Sequence, residues 1–370
     1  MIDYTGSNYA VWETTPLKID EFKKLLPTEQ LEYLCLMAHL APSSHNTQPW
    51  RFEIKPDQLE IVINIIKEFI LPASDVNGRQ TVISVGCALA NLKTAANYLG
   101  YKIETTLLNN DKQIFKPTDD NSGLIPLLKI KIELDAPNEN LAEVYQAIFN
   151  RKVTRAEYLE SSEIPPNLLD EIDALNNDQI KIHLVSDRLR RLTISEFQGQ
   201  ADNFVINSKK FSRELGEWLL PNDSASFVGM PGIGFGLGDD EAKRLHDGLI
   251  GEIPLNPADG LKFSTGGKIG IEKSPTICFL TATDDNVENW IAAGEIVEKI
   301  FLKLTAHGIV FTMHAGITEV SLINKLFSMS FLGTSRRILS LFRMGYIKRN
   351  EDAQRPHSPR WPLEKVIIDN

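Results

Sequence analysis

The chain lacks the features of a disulfide-stapled, zinc-binding or membrane-spanning protein. Its 370 residues include only three cysteines, an odd number without CxxC spacing, which argues against a disulfide framework and a Cys-ligated zinc site. Cys35, Cys87 and Cys278 lie in apolar segments, where they are expected to be small buried side chains. No stretch approaches the ~18–20 apolar residues of a transmembrane helix, and no signal peptide is visible. We therefore expect a cytoplasmic protein with no membrane partner.

An excess of positive charge is also missing. The chain has 49 acidic and 39 basic residues, so its formal net charge is −10. General nucleic-acid binding requires a basic surface, and no nucleic-acid partner is expected. This balance is still compatible with a local anion site, for which Arg151, Arg155 and Arg360 are the candidates.

Several familiar catalytic fingerprints are absent as well. There is no HExxH zinc motif, no GxSxG nucleophile elbow and no GK[ST] phosphate loop. The glycine-rich residues 227–238 lack the strand and helix that a dinucleotide-binding loop requires. We expect them to form a loop beside or over a functional site, where a lid would exclude water. No metal site is predicted.

What is present is an alternation of helices and strands that is typical of an α+β protein. Apolar spacing predicts seven helices and seven strands. The helices are predicted at residues 28–40, 81–99, 140–149, 167–175, 187–207, 212–220 and 287–307, and the strands at 50–54, 59–65, 103–108, 127–134, 180–185, 276–282 and 365–368. Residues 222–240 show no periodicity, and residues 343–363 are basic and punctuated by prolines.

Two of the predicted helices match each other. Residues 86–100 (GCALANLKTAANYLG) and 294–308 (GEIVEKIFLKLTAHG) run from one glycine to the next over the same length. Apolar positions coincide, as with Ile83 and Ile291. We interpret this as an internal duplication, with a first half at residues 1–148 and a second half at 149–370.

Three motifs carry a resemblance to a known family. Residues 41–50 (APSSHNTQPW) resemble the APSxxNxQPW loop of FMN-dependent nitroreductases. Residues 151–155 (RKVTR) resemble that family's arginine-rich entry arm, and residues 343–366 resemble its C-terminal segment. Residues 75–86, with Asp75, Gly78 and Arg79, are similar to the tandem, single-chain (Acg-type) branch.

The resemblance implies a nitroreductase-like α+β fold in which two fused copies form an intramolecular pseudo-dimer of antiparallel-rich sheets flanked by helices. The APS-type loop occurs only in the first copy and the arginine arm only before the second. One complete FMN site is therefore expected, with the other defunct. The cofactor-binding residues implied are Pro42, Ser43, Ser44, Asn46, Arg151, Lys152, Thr154, Arg155, Met313, His314, Ala315, Gly316, Arg349 and Arg360.

Their chemistry suits FMN. Arginine forks bind phosphate oxygens bidentately, and Ser and Asn suit ribityl hydroxyls and the ring edge. In the family, the loop matching residues 313–316 points a backbone N–H at flavin N5; Ala315 departs from a common Glu there. His314 is either a proton donor or a packing residue. His45 faces the phosphate, the ring or solvent, or is structural.

The resemblance implies a two-electron oxidoreductase that uses NAD(P)H or another donor to reduce a nitroaromatic or quinone-like small molecule. The cofactor performs the redox step, and no catalytic side chain is predicted. The alternative is an FMN-storing or sequestering protein with little NAD(P)H-driven turnover. Two further activities of such relatives also stay open: consumption of reduced flavin itself, and dehalogenation of a substrate. Fusion of the two copies favours a monomer, or at most a weak homodimer.

Overall fold

The computed structural model describes residues 6–116, 123–348 and 355–368. Strands and helices alternate along the chain as an α+β protein requires. The strands are β1 (Trp50–Lys55), β2 (Glu60–Ile66), β3 (Tyr101–Leu107), β4 (Leu124–Leu134), β5 (Ile180–Val185), β6 (Leu219–Leu220), β7 (Met230–Pro231), β8 (Thr276–Ala282), β9 (Val310–Met313), β10 (Ile338–Gly345) and β11 (Ile367–Ile368).

The helices are α1 (Ile19–Phe22), α2 (Pro27–His39), α3 (Arg79–Leu99), α4 (Ala142–Asn150), α5 (Pro166–Asp173), α6 (Arg188–Asn207), α7 (Lys209–Trp218), α8 (Asp239–Ile250), α9 (Pro257–Glu272), α10 (Val287–Ala306), α11 (Gly316–Glu319) and α12 (Ser321–Leu332). No helix in the described ranges is long and apolar enough to cross a bilayer.

Two sheets repeat one topology. The first has the order β11-β1-β2-β4-β3 and the second the order β5-β8-β10-β9. Without β11, each sheet places its own first, second, fourth and third strands side by side, all antiparallel. In each copy the second strand leads into the long helix, α3 or α10, and then into the third strand. The predicted duplication and fold class are confirmed.

The two copies meet where α3 and α10 cross. A Cβ at Gly86 would lie 2.4 Å from the carbonyl oxygen of Ile291 and 2.9 Å from Cα of Gly294. A Cβ at Gly294 would lie 2.1 Å from the carbonyl oxygen of Ile83 and 2.8 Å from Cα of Gly86. Gly86 thus contacts Ile291, and Gly294 contacts Ile83, which is the counterpart of Ile291 in the first copy. Such reciprocal contacts are those of a two-fold interface. The crossing is an intramolecular pseudo-dimer axis.

One continuous hydrophobic core surrounds this crossing and includes residues of both copies. Leu89 and Leu92 of α3 are buried in the same cluster as Val297 and Ile300 of α10. These are the positions that the sequence comparison pairs. The copies are therefore packed as one unit, because burying a helix stripe against a partner is what stabilises it.

The second copy carries an insertion that the first copy lacks. In the first copy a short turn at Pro56–Gln58 joins β1 to β2, whereas α6, α7, α8 and α9 lie between β5 and β8. We call residues 188–272 the helical cap. A second difference concerns β11, which pairs in parallel with β1 of the first sheet, Phe52 opposite Ile367. The segment 355–368 therefore returns to the first copy.

The sequence pattern missed the helices α8, α9 and α12, the short helices α1 and α11, and the strands β6, β7, β9 and β10. Helix α9 contains Gly260, Gly266, Gly267 and Gly270, and glycine disfavours isolated helices. It forms because it packs against α6. Strand β10 was not predicted because residues 343–348 were interpreted as part of a basic segment, and Arg343 of that segment lies inside the strand.

The crossing predicts the effect of adding a single methyl group. Gly86→Ala should destabilise the protein by about 1–3 kcal/mol, because its Cβ meets backbone atoms that cannot move independently. The control is Gly266→Ala in α9, where no atom lies within 4 Å of the added Cβ; this change should stabilise by about 1 kcal/mol. Urea unfolding measures both. Equal stability of Gly86→Ala and the unaltered protein would contradict the crossing.

Candidate functional site

A cavity of about 450 Å³ lies between the two copies and the helical cap. Its volume is within the range of small-molecule and cofactor sites. The first copy contributes Pro42, Ser43, Ser44 and His45, and the first turns of α3. The second copy contributes Arg155, residues 313–316 and part of β10, and the cap supplies apolar side chains. The segments that the sequence analysis singled out thus converge on one space.

The loop after α2 is held in an unusual conformation. His45, Asn46 and Gln48 have positive φ angles of 48°, 57° and 52°, which non-glycine residues adopt only when the surroundings enforce them. Ser43 Oγ accepts a hydrogen bond from the Gln48 amide at 2.9 Å. The Ser44 amide donates to Oγ of Ser84 at 3.2 Å. These contacts fix the serines in the cavity wall.

Asn46 does not line the cavity. Its Nδ2 donates to the carbonyl oxygens of Gly229 and Pro359, both at 2.9 Å, and its Oδ1 accepts from Arg360. It thereby joins the loop to the glycine-rich segment of the cap and to residues 355–368. The glycine-rich segment supplies Met230 and Phe235 to the cavity wall, where the sequence analysis predicts a lid.

Of the arginine arm, Arg155 reaches the cavity. Its guanidinium carbon lies 4.0 Å from the ring centre of Phe235, and Nη1 donates to the carbonyl oxygen of Gly234 at 3.4 Å. Burial lowers the pKa of Arg155 to about 10, with Arg343 and Arg355 adding to the effect. Arg155 is thus a cation held against the cap by an aromatic face.

Arg151 and Arg360 form a separate buried cluster outside the cavity lining. Arg151 Nε lies 3.2 Å from Oε1 of Glu298, and Nη2 donates to the carbonyl oxygen of Leu40 at 2.9 Å. Arg360 donates to the carbonyl oxygen of Ala41 at 2.9 Å. Burial, and then the charge of Arg151, lower the pKa of Arg360 to about 9, while burial raises that of Glu298 to about 7. Two guanidiniums therefore share one carboxyl group.

Lys152 and Thr154 do not line the cavity either. Lys152 Nζ donates to the carbonyl oxygen of Arg355 at 3.2 Å. The Thr154 amide donates to the carbonyl oxygen of Phe311 at 3.0 Å, which attaches the arm to β9. Arg349 lies outside the described residues.

Residues 313–316, from the last residue of β9 to the first of α11, all line the cavity. A Cβ at Gly316 would lie 2.6 Å from both Oδ1 of Asp202 and Nε2 of Gln198, so a larger residue here would displace these side chains of α6. Burial, with Arg343 and Arg155 nearby, keeps the pKa of His314 well below its ordinary value. Its imidazole is neutral at neutral pH, which does not support the hypothesis of a proton donor that titrates there.

The cavity also contains residues that the sequence analysis missed. Arg343 is a buried cation in the otherwise apolar strand β10, and that isolation was the available signal. Gln80 and Ser84 face the cavity from α3. Asp202 and Glu319 are two carboxyl groups whose pKa values burial raises to about 7 and about 8; nothing in their local sequence distinguishes them from surface acids.

Four polar atoms of cavity residues indicate that a polar ligand fits here. His45 Nδ1, His314 Nε2, Ser340 Oγ and Arg343 Nε are buried and have no hydrogen-bond partner among the described residues. Buried polar groups are nearly always satisfied. A ligand that carries hydrogen-bonding groups on a flat ring, and a phosphate toward the arginine clusters, suits this set. Within the described chain, no group of three His, Cys, Asp or Glu is arranged to hold a metal ion.

The pseudo-symmetry locates the counterpart of this cavity, and that position is filled. Pairing Gly86 with Gly294 places Glu295 at the position of Cys87, and Lys93 at that of Phe301. Cys87 and Phe301 line the cavity, whereas Lys93 Nζ and Glu295 Oε1 form a 2.6 Å ion pair. At these two positions of the described chain, an ion pair stands on one side of the crossing where the other side has the apolar cavity wall.

Comparison with known proteins finds relatives along almost the whole chain. A protein of Mycobacterium tuberculosis (strain H37Rv) named "Putative NAD(P)H nitroreductase Rv3131" is 23% identical over 343 residues, covering 92% of this chain and 91% of the relative. One named "Putative NAD(P)H nitroreductase acg" from the same strain is 22% identical over 350 residues, covering 93% and 96%. No protein-family model matches.

Solved structures were compared as well. A nitroreductase structure from Anabaena variabilis covers 92% of this chain and 91% of its own, with a TM-score of 0.49 and 9% identity. The FMN-dependent nitroreductase NfnB from Mycobacterium smegmatis, in complex with NADPH, covers 62% of this chain and 98% of its own, with a TM-score of 0.39 and 17% identity. The full-length relatives, with Acg among them, confirm the resemblance that the motifs carry.

The buried carboxyl groups predict how stability depends on pH. Asp202, Glu298 and Glu319 keep a proton in the folded state at pH values where the unfolded chain has released it. The free energy of unfolding should therefore fall, on the order of 1 kcal/mol, as pH rises from about 7.5 to about 9. The buried histidines offset little of this fall, because unfolded imidazoles with their ordinary pKa of about 6.5 are already mostly neutral above about pH 7.5.

Urea unfolding at several pH values measures this slope. The double variant Asp202→Asn/Glu319→Gln should flatten it. The control Glu157→Gln should leave it unchanged, since an exposed ion pair with Lys273 lowers the pKa of Glu157. A stability that rises between about pH 7.5 and about pH 9 would contradict the assignment.

Proposed function

Because the chain is similar over more than nine-tenths of its length to proteins named as NAD(P)H nitroreductases, we propose that it is an FMN-binding oxidoreductase of nitroreductase type. It takes two electrons from NAD(P)H or another donor and reduces a small acceptor such as a nitroaromatic or a quinone. One observation carries the proposal: Pro42, Ser43 and Ser44 of the APS-type loop in one copy, and Arg155 and residues 313–316 of the other, line a single cavity.

The arginines suit the two ends of FMN, with Arg151 and Arg360 toward the phosphate and Arg155 toward the ring. Arg151 and Arg360 lie near each other, and among the described residues Glu298 is the carboxyl group whose charge acts on both, so a dianionic phosphate would relieve the repulsion between them. Each guanidinium can bind phosphate oxygens through its donor fork. Arg155 lies four residues further along the chain than Arg151, so a single FMN could contact both arginines. It faces the cavity, where the ring would lie between the two copies.

Bound FMN would supply the electron-transfer chemistry, and the protein would position it and control access. The small side chain of Ala315 and the absent one of Gly316 let the backbone approach the ring closely. Phe235, Phe211 and Leu215 of the cap line the same cavity. These apolar groups would exclude water from the ring, which strengthens the polar contacts inside. Asp202 and Glu319 face the remaining space, where an acceptor would lie.

Storage of FMN is the second candidate function. Ala315 stands where many classical nitroreductases have Glu, and the cap covers the cavity. Both features reduce what is available to recognise a nicotinamide donor. A storage protein would bind FMN through the same residues, so binding alone does not separate the two functions.

Reduction without oxygen separates them. The protein loaded with FMN should lose its absorbance near 450 nm when NADPH or NADH is added anaerobically, and regain it with a nitroaromatic or quinone. A yellow protein that resists both nicotinamides, yet bleaches with dithionite, would favour storage. A protein that cannot be loaded with FMN would exclude both functions.

The arginine arm gives a second prediction. Removing Arg151 alone would leave Glu298 buried without its partner, which is strongly destabilising. We therefore place Arg151→Ala and Arg155→Ala in a Glu298→Gln background and compare the triple variant with Glu298→Gln alone. FMN affinity should fall at least ~100-fold, because each charge-assisted contact contributes about 1.5–3 kcal/mol. Quenching of flavin fluorescence measures the dissociation constant and the stoichiometry.

The surface variant Arg188→Ala/Arg213→Ala removes the same number of charges from exposed positions and should bind FMN normally. Titration of the unaltered protein should end at one FMN per chain, since the ion pair of Lys93 and Glu295 fills the counterpart position. An unchanged affinity in the triple variant would mean that the arm has another role. Two flavins per chain would refute the single-site argument.

The remaining parts of the proposal concern organisation. The division into halves at residues 148 and 149 stays a prediction, as do the cytoplasmic location and the monomeric state. The pseudo-dimer axis inside the chain already supplies the interface that a symmetric homodimer would form. A monomer is the state this interface favours.

A further inference from the structure

His45 has a backbone conformation that is uncommon for residues other than glycine. Its φ and ψ angles are 48° and 19°, in the left-handed region, and Asn46 follows with φ of 57°. Two consecutive left-handed residues without glycine store strain, and such residues cluster at functional sites. The strain is maintained by the hydrogen bonds of Ser43, Ser44 and Asn46 on either side. The loop therefore holds the His45 side chain in the cavity wall.

His45 and His314 share three properties although they come from different copies. Both line the cavity, and each has a buried ring nitrogen, Nδ1 and Nε2 respectively, with no hydrogen-bond partner among the described residues. Both also lie near Arg155, whose charge adds to burial in lowering the pKa of each ring, to about 4 for His45. Both imidazoles are therefore uncharged at neutral pH.

An uncharged imidazole offers one donor and one acceptor, whereas a guanidinium only donates. The group of His45, His314 and Arg155 can thus satisfy an edge that carries both carbonyl oxygens and N–H groups. A dianionic phosphate only accepts hydrogen bonds, so it would use the donors of this group and none of its acceptors. The pyrimidine edge of a flavin has the mixed pattern that this group matches.

We propose that His45 and His314 bind the flavin ring by hydrogen bonds from two sides, as uncharged partners that supplement Arg155. The proposal rests on the proposed function, because it assigns contacts to the FMN of that site. Neither histidine acts as an acid in it. Their role is to select a ring edge with both donors and acceptors.

The left-handed backbone at His45 permits a matched pair of variants. His45→Gly removes the imidazole without adding strain, since glycine adopts this conformation freely. His45→Asn also tolerates positive φ and keeps a side-chain donor and acceptor. For the second site, His314→Leu removes hydrogen bonding and His314→Gln retains it. The control is His307→Asn, an exposed position near the end of α10.

Dissociation constants are measured for FMN and for riboflavin, which has the ring but no phosphate. His45→Gly and His314→Leu should each weaken both ligands about tenfold, the effect of one lost hydrogen bond. His45→Asn, His314→Gln and His307→Asn should stay within about threefold of the unaltered protein. The visible spectrum of bound flavin should shift in the two weakened variants, and thermal unfolding of each ligand-free variant shows whether its fold is intact.

Each outcome decides the proposal. Equal flavin affinity and spectrum in His45→Gly, His314→Leu and the unaltered protein would overturn the inference while leaving the proposed function in place. Weakening of FMN but not of riboflavin would place the histidines at the phosphate and overturn it too. A weakened affinity that follows only lower thermal stability, without rescue by Asn or Gln, would reduce them to structural residues. Failure of the unaltered protein to bind FMN would overturn the proposed function as well.

Discussion

The close crossing of α3 and α10 is the constraint on which the rest of the structure depends. Two helices approach this closely only where neither has a side chain, and Gly86 and Gly294 provide that contact. The crossing sets the distance between the copies and directs Ser84 and Cys87 of one helix, and Val297 and Phe301 of the other, to the same cavity. A larger residue at either glycine would separate the two walls and misalign every polar group between them.

The charged groups around the cavity show how burial determines chemistry. Arginines retain their charge because their ordinary pKa is so high that burial cannot discharge them at neutral pH. Histidine in the same surroundings becomes neutral, and Glu319 stays mostly protonated at neutral pH. The site therefore combines fixed cations with uncharged hydrogen-bonding groups. This combination suits a ligand with a charged end and a polar, uncharged ring.

Local patterns predicted the regular parts of the fold well. The long helices, most strands and the duplication follow from apolar spacing, because α3 and α10 bury whole stripes and end at glycine-linked turns. Prediction failed where packing overrides local preference, as in α9 with its four glycines, and where a buried charge interrupts an apolar strand, as Arg343 does in β10. The motifs located the loop of Ser43 and the arm of Arg155. Asp202 and Glu319 could not be found, because their role comes only from the insertion folding over the cavity.

The pairing of β11 with β1 has a consequence for how the protein is made. Strand β1 lies inside its sheet only once Ile367 and Ile368 have added along its free side. Until residues 367 and 368 have been synthesised, the free side of β1 is therefore an unpaired strand edge, and such edges pair with other chains. The same segment carries Arg360 to its place beside Arg151. The same segment thus closes the sheet and completes the cation cluster late in synthesis. A chain that ends before residue 355 would keep an exposed, aggregation-prone strand edge and would lack Arg360 for binding an anion.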